Sequence, residues 1–444
     1  MRILIKNAEI VNEGLTVKRN IIISNELIEK ISEKPVEETG FDRIIDAKNL
    51  MLLPGVIDDQ VHFREPGATH KANIHSESRA AVAGGVTSYM EMPNTNPSTT
   101  TKELLKQKFD IAEENSLANY SFFIGATEDN IDEISEIDIS EVAGVKLFLG
   151  SSTGSLLVKD KKAIERIMQE SPTIIAAHCE DDRIIGENLQ KFKAEYGDDI
   201  PVEKHCEIRS EEACYKSSSE AVEIAKRTNA KFHIFHISTE KEISLLNDNP
   251  IEEKNITAEV CVHHLFFNNT DYSKLGARIR WNPSVKYESD RLALIQALKD
   301  GKIDVVATDH APHSWEEKCN PYTKCPSGAP MVQHSLQVMI ELSKQGYFEI
   351  EDVVKWMCHN PARLYHIDKR GYIREGYYAD LVLVDMNAKY KITKDNILYK
   401  CKWSPLEGYV MNSKIITTFV NGKIVFDDEK IVENKAAMKL KFNR

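Results

Sequence analysis

The sequence predicts an α/β fold: a (β/α)8 barrel of the TIM type through the middle of the chain, with a small β-sandwich built from both chain ends. Three observations carry that reading. Eight apolar, strand-like runs recur through the middle, with amphipathic helix-like segments between most of them. Both ends carry instead short alternating strands joined by tight turns. No Gly-x-Gly-x-x-Gly follows the first apolar run, which favours a closed barrel over a dinucleotide-binding open sheet.

In chain order, Ile3–Ile10, Arg19–Ser24 and Leu27–Ile31 read as strands, the last two meeting at Asn25-Glu26. The barrel runs are Leu52–Asp58, Val86–Glu91, Tyr120–Ala126, Gly144–Leu149, Thr173–His178, Lys231–Ile237, Ile256–Val262 and Asp304–Asp309. Thr101–Asn115, Lys161–Glu170, Glu211–Arg227 and Asp290–Lys299 read as intervening helices. Strand character returns at Ala379–Asp385 and Ile415–Val420, and Asn421-Gly422 turns the chain into Lys423–Phe426. The expected division is a sandwich of residues 1–53 with 375–435, and a barrel over 54–374. The 444 residues suffice for one barrel plus such an appendage.

Composition narrows the function. With 57 Lys and Arg against 69 Asp and Glu, the formal charge of −12 argues against nucleic-acid or anionic-membrane partners. No apolar run approaches the roughly 18 residues of a membrane helix. The N-terminus has no signal-peptide pattern, and the eight cysteines are scattered without a Cys-x-x-Cys. A cytoplasmic protein with reduced thiols and a small-molecule substrate is expected, as a homo-oligomer, specifically a dimer.

The fourteen histidines are more informative, because several close apolar runs. Active sites of barrels sit at the C-terminal ends of the strands. Read in order, those ends supply Gln60 and His62, Asn94, Lys146, His178, His236 and Asp309. A single histidine there is most often a hydrogen-bonded structural group; the constellation is the signal. Imidazoles and carboxylates on one face are zinc ligands. Lys146 is the unusual member: burial lowers an amine's pKa, and a neutral amine can add carbon dioxide to give a carbamate able to bridge two metals.

These residues carry a resemblance. The run from Pro54 to Gly67, with Asp58-Asp59-Gln60-Val61-His62 at its centre, resembles the first metal motif of the cyclic amidohydrolases, and its Arg64-Glu65-Pro66-Gly67 tail that of the dihydroorotases. Met92-Pro93-Asn94-Thr95-Asn96-Pro97 and Ala307-Thr308-Asp309-His310-Ala311-Pro312-His313 are similar to later signatures, as are Ala177-His178-Cys179-Glu180 and His233-Ile234-Phe235-His236-Ile237-Ser238-Thr239. The resemblance implies two zinc ions per subunit: one on His62 and Asp309, one on His178 and His236, bridged by carboxylated Lys146. It implies that a hydroxide between them attacks the ring amide, with Asp309 taking its proton and returning it to the leaving nitrogen, in the reversible cyclisation of N-carbamoyl-L-aspartate to dihydroorotate for pyrimidine synthesis. Arg64, Asn94 and His313 would bind the substrate's carboxylate, Asn282 would contact the substrate, and Ser327 and Gly328 would face the pyrimidine ring.

The sequence departs from the resemblance at Gln60, where a histidine is usual; an amide oxygen is a weak ligand. Two other readings therefore stay open. One is a related cyclic amidase, an allantoinase or dihydropyrimidinase, which Arg64 disfavours. The other is a catalytically impaired dihydroorotase-like scaffold supporting a partner such as aspartate transcarbamoylase. The remaining candidates read as structural. His233, three residues before His236, is expected on the opposite strand face, and His263-His264 is expected to hydrogen-bond within the scaffold. His310 could orient a ligand. Cys319 and Cys325 fit no zinc spacing, Gly150–Gly154 lacks the lysine of a P-loop, and the acidic run 128–141 reads as solvated surface.

Overall fold

The computed structural model describes residues 1–151 and 156–444; the Gly150–Gly154 segment lies partly outside them. Strands β1 (Arg2–Asn12), β2 (Leu15–Ser24) and β3 (Leu27–Ser32) form an antiparallel meander. β4 (Arg43–Asp46) and β5 (Met51–Pro54) join β1 in parallel.

The run expected as one strand over Leu52–Asp58 is divided at Gly55. Met51–Pro54 belongs to the terminal sheet, and β6 (Val56–Val61) opens the barrel. Gly55 is needed at this crossing because a Cβ there would stand 2.1 Å from Thr87 Oγ1.

From β6 the chain builds eight parallel strands in sequential order: β7 (Val86–Glu91), β8 (Asn119–Gly125), β9 (Gly144–Phe148), β10 (Ile175–His178), β11 (Phe232–Ile234), β12 (Ile256–Cys261) and β13 (Val305–Ala307). The barrel closes where His62 N donates to His310 O at 2.7 Å. The expected helices form at Lys102–Asn115, Lys161–Glu170, Glu211–Thr228 and Glu288–Lys299. Thr101, Asp160 and Ser210 start three of them by accepting a backbone N–H on the side-chain oxygen. Helices Ile74–Ala83, Asp182–Tyr196 and Ser335–Lys344 add to the surrounding layer.

The chain then returns to the first sheet. β14 (Leu381–Asp385) lies antiparallel to β5; β15 (Tyr390–Lys391) and β16 (Val410–Met411) form a separate ribbon; β17 (Lys414–Val420), β18 (Lys423–Asp427) and β19 (Lys430–Ile431) complete a nine-stranded sheet of strands from both terminal regions. Its inward residues, including Ile3, Ile21, Leu52, Leu383 and Phe419, make a core of their own. The last residues, unassigned by sequence, run beneath the barrel: Leu440 and Phe442 are buried, and Arg444 donates to the carbonyls of Val142 and Ala143 before β9. The N-terminal end of the barrel is thereby sealed, and polar side chains gather at the other end. No helix among the described residues is long and apolar enough to cross a membrane.

Candidate active site

Two histidine groups face each other at the C-terminal ends of the barrel strands. In the first, His178 closes β10 and His236 lies two residues past β11, and their rings meet with His178 Nδ1 2.9 Å from His236 Nε2. The other His178 nitrogen, Nε2, is 2.8 Å from Glu180 Oε2, and Arg209 pairs with that same oxygen. Against the opposing pull of burial, Arg209 and His178 hold the Glu180 carboxyl well below the usual carboxylate range. A carboxylate on the far nitrogen of a histidine fixes its tautomer and ring direction, as second-layer partners of metal ligands do. Neither Glu180 nor Arg209 was assigned a role from sequence. Glu180 had a signal, since it follows His178 at the two-residue spacing of one strand face; Arg209, on a distant loop, had none.

In the second group, His62 follows β6 and Asp309 follows β13, with His62 Nε2 3.1 Å from Asp309 Oδ1. His62 Nδ1 meets Asn94 Oδ1 at 2.8 Å. As an amide oxygen only accepts, Nδ1 carries the hydrogen, and the lone pair of Nε2 is turned toward Asp309. Burial lowers the pKa of His62 and, further, of His236. Both rings are neutral and available as ligands near pH 7. Facing nitrogen and oxygen atoms about 3 Å apart, each backed by a fixed partner, suit a cation between them.

Gln60 belongs to neither group. Its Oε1 accepts from Cys261 Sγ at 3.8 Å, on β12. Lys146, on β9, is buried with its Nζ 3.9 Å from the centre of the Phe235 ring and 4.9 Å from that of Phe148. No hydrogen bond or ion pair engages its amine among the described residues. Burial outweighs the pull of Glu259 and Asp309 and brings the amine down to about 7.

A third group lies beside the second. Arg64 Nε donates to Pro312 O at 3.1 Å, and its Nη2 is 3.2 Å from His313 Nε2. Lys71 donates to His313 Nδ1 at 3.1 Å, and His313 Nε2 is 3.0 Å from Ser327 O. Burial, and the Arg64 and Lys71 cations, push the His313 pKa well below its usual value. A neutral His313 that accepts from Lys71 and donates to Ser327 leaves the Arg64 guanidinium without an acceptor there. Arg64 has no carboxylate partner among the described residues, although Lys71 has Glu317 at 3.0 Å. Gly328, with φ +120, packs against the Ala311 carbonyl so closely that a Cβ would stand 2.4 Å from it. Asn282 Oδ1 is buried and has no hydrogen-bond partner among the described residues.

Arg64, His236 and Asp309 have φ of 66, 41 and 43. Non-glycine residues there cost on the order of 1–3 kcal/mol each, and such strain concentrates at functional sites.

The remaining histidines divide. His310 is buried between Glu77, 2.9 Å from its Nε2, and the Met331 N–H, and holds the barrel seam. His233 is not on the outer face: the chain leaves strand geometry before His236, so His233 points into the barrel, 3.8 Å from Asp59 and 3.6 Å from Glu259.

A model of the amidohydrolase family matches residues 51–425. The chain belongs to the amidohydrolase family. A dihydroorotase of Methanosarcina mazei is 32% identical over 416 residues, covering 91% of this chain and 90% of that one. One of Staphylococcus epidermidis is 30% identical over 438 residues, covering 96% and 100%. Among solved structures, the L-hydantoinase (dihydropyrimidinase) of Arthrobacter aurescens superposes with a TM-score of 0.93 at 23% identity, covering 99% of both chains. That likeness carries the fold. With curated relatives matched along nearly the whole chain, this amidohydrolase is an enzyme acting on cyclic amides.

Proposed function

We propose that the protein is a dihydroorotase, interconverting dihydroorotate and N-carbamoyl-L-aspartate. The observation that carries this reading is the half-buried Arg64 guanidinium, which has no carboxylate in ion-pair contact among the described residues, follows His62 by two residues and lies close enough to Asp309 to feel its charge. A cation so placed, desolvated and offset only by the more distant Asp309, Glu91 and Glu317, gains from an anion in direct contact; dihydroorotate brings a carboxylate on its ring, whereas hydantoin or dihydrouracil does not.

The two ligand pairs, His62 with Asp309 and His178 with His236, would hold the metal, with zinc the ion their nitrogen and oxygen donors suit. Divalent ions there supply carbonyl polarisation and a water acidic near neutral pH. Lys146, brought to about 7 by burial, is about half neutral at that pH and can add carbon dioxide with release of one proton. The carbamate so formed would bridge the two pairs. Arg64 binds the substrate carboxylate, assisted by Asn94, whose side chain also fixes His62. Asn282 Oδ1 accepts from a ring N–H, and the Ser327–Gly328 backbone borders the ring. In ring opening, Asp309 takes a proton from the attacking water as its oxygen bonds to carbon, then delivers it to the ring nitrogen as the C–N bond breaks; cyclisation is the reverse.

The direct test supplies L-dihydroorotate to zinc-reconstituted protein and follows N-carbamoyl-L-aspartate by chromatography. Turnover of dihydroorotate supports the reading. Opening of hydantoin or dihydrouracil without dihydroorotate would replace it with a related cyclic amidase. The displacement of Gln60 toward Cys261 favours one second reading, an impaired scaffold, and absence of turnover on all three rings would select it. Carboxylation of Lys146 is read separately, as a carbamate resonance after exposure to isotope-labelled bicarbonate.

A further inference from the structure

Outside the site described, buried ligand-type side chains converge twice. Asp59, His233 and Glu259 bring ligand atoms within 4.8 Å of one another inside the barrel. Each of these keeps one unpartnered atom among the described residues (Asp59 Oδ1, His233 Nε2 and Glu259 Oε2), but each is also held by a hydrogen bond on its other atom. Tyr365 donates to Asp59 Oδ2 at 2.9 Å, His233 Nδ1 is 2.8 Å from Thr257 Oγ1, and the His236 N–H is 3.2 Å from Glu259 Oε1; burial favours the neutral form of both acids. Cys261, His263 and His264 are different. Their ligand atoms also lie within 4.8 Å of one another, and all three residues are at most 3% exposed. Here the imidazoles are the less satisfied: among the described residues both nitrogens of His263, which has the Thr308 backbone nearby, and Nδ1 of His264 are buried without a well-formed hydrogen bond.

The local structure explains how these atoms come together. β12 ends at Cys261 and turns directly into a short helix, Val262–Phe266, so strand end and helix present the three side chains side by side. Trp281 stacks on the His263 ring at 3.9 Å and 5°, which fixes its plane. His264 Nε2 is 3.2 Å from Pro283 O. A carbonyl only accepts, so Nε2 carries the hydrogen and Nδ1 keeps its lone pair, the unpartnered atom. A backbone carbonyl on the far nitrogen is how many metal-binding histidines are fixed. Across from them, the Cys261 thiol donates to Gln60 Oε1 at 3.8 Å, an amide turned away from His62 and Asp309.

We propose that Cys261, His263, His264 and the Gln60 amide oxygen form a further site, separate from the His62 and His178 groups, for a zinc-class divalent transition-metal ion. One sulfur, two imidazole nitrogens and one oxygen make a four-ligand set of the kind borderline ions prefer and magnesium or calcium do not. Zinc bonds of about 2.0–2.3 Å place tetrahedral ligands roughly 3.3–3.8 Å apart, so the set tightens modestly on binding. Binding exchanges the Cys261 thiol proton, released to solvent, for a metal–sulfur bond. With four protein ligands the ion has no open position for substrate. Its role is structural: it ties the chain after β12 to β6 and steadies Trp281, next to Asn282.

Cobalt is the probe. Metal-stripped full-length protein titrated with Co2+ is expected to develop a thiolate-to-cobalt charge-transfer band in the near ultraviolet. Cys261→Ser should lose that band and bind one equivalent less, while absorption from cobalt on the remaining histidines persists. A wild-type titration without the band overturns the proposal, as does a band of undiminished strength in Cys261→Ser, which would place the sulfur on another cysteine. X-ray absorption on zinc-loaded wild type needs no variant: a sulfur scatterer at about 2.3 Å supports the site, and a shell of nitrogen and oxygen alone contradicts it. Neither readout depends on turnover, so the outcome stands whatever ring the enzyme opens.

Discussion

His178 and His236 meet nitrogen to nitrogen with a carboxylate and a guanidinium behind them, whereas His62 and Asp309, across the barrel seam, are backed by the neutral Asn94 amide and have no third neighbour in Gln60. The first pair is braced by charge; the second is braced by geometry, with Asp309 held in a left-handed backbone conformation. The difference assigns the two sides separate duties. The braced pair is suited to retaining a metal. The seam pair, next to Arg64, is suited to moving a proton.

The largest effect expected from that division comes at Asp309. Asp309→Asn keeps the size and removes the base, and kcat should fall about 10²–10⁴-fold even with zinc added in excess to refill the seam pair. Recovery of activity under excess zinc would make Asp309 chiefly a ligand and erase the distinction. Next is Glu180→Gln, which keeps a hydrogen-bonding oxygen but deletes the charge behind His178. Metal affinity, followed by competition with a chelator, should drop about 10–100-fold; an unchanged affinity would show that the bracing has no function. Gln60→Ala should lower kcat by less than about tenfold, since the Gln60 side chain meets Cys261 and neither member of the seam pair. A loss as large as that of Asp309→Asn would return Gln60 to the seam pair.

The smallest effect concerns stability beneath the seam. Burial, reinforced by Glu259, raises the Asp59 carboxyl to about 8. The unfolded chain gives up that proton near pH 4, while the folded protein keeps it to about 8. Native stability contributed by this group is therefore lost as pH rises from about 4 to about 8. Asp59→Asn in metal-free protein should raise Tm relative to wild type more at pH 8 than at pH 5. An equal shift at both values would mean that Asp59 is already ionised in the fold.

Much of this architecture was legible from residue order. Long apolar runs such as Val86–Glu91 and Ile256–Cys261 report burial on both faces, and the barrel then dictates where their ends converge. His62, His178, His236 and Asp309 followed from that alone. What escaped was set by neighbours distant in sequence. The Leu52–Asp58 run is uniformly apolar through Pro54-Gly55, and only the approach of Thr87 to Gly55 shows that two sheets divide it. The inward turn of His233 depends on the backbone leaving the strand before His236, which a period-two reading does not register. Arg209 behind Glu180 and Cys261 beside Gln60 are pairings across the barrel, carried by no local pattern.

The central claim is that Arg64 selects a ring bearing a carboxylate. It is tested most directly by the ratio of kcat/KM for L-dihydroorotate to that for 5,6-dihydrouracil, the same ring without the carboxylate, in wild type and in Arg64→Ala. A charge-assisted contact of about 1.5–3 kcal/mol predicts that the substitution lowers the ratio about 10–100-fold, through the dihydroorotate value alone. Equal losses on both rings, or a wild-type preference for dihydrouracil, would contradict the account.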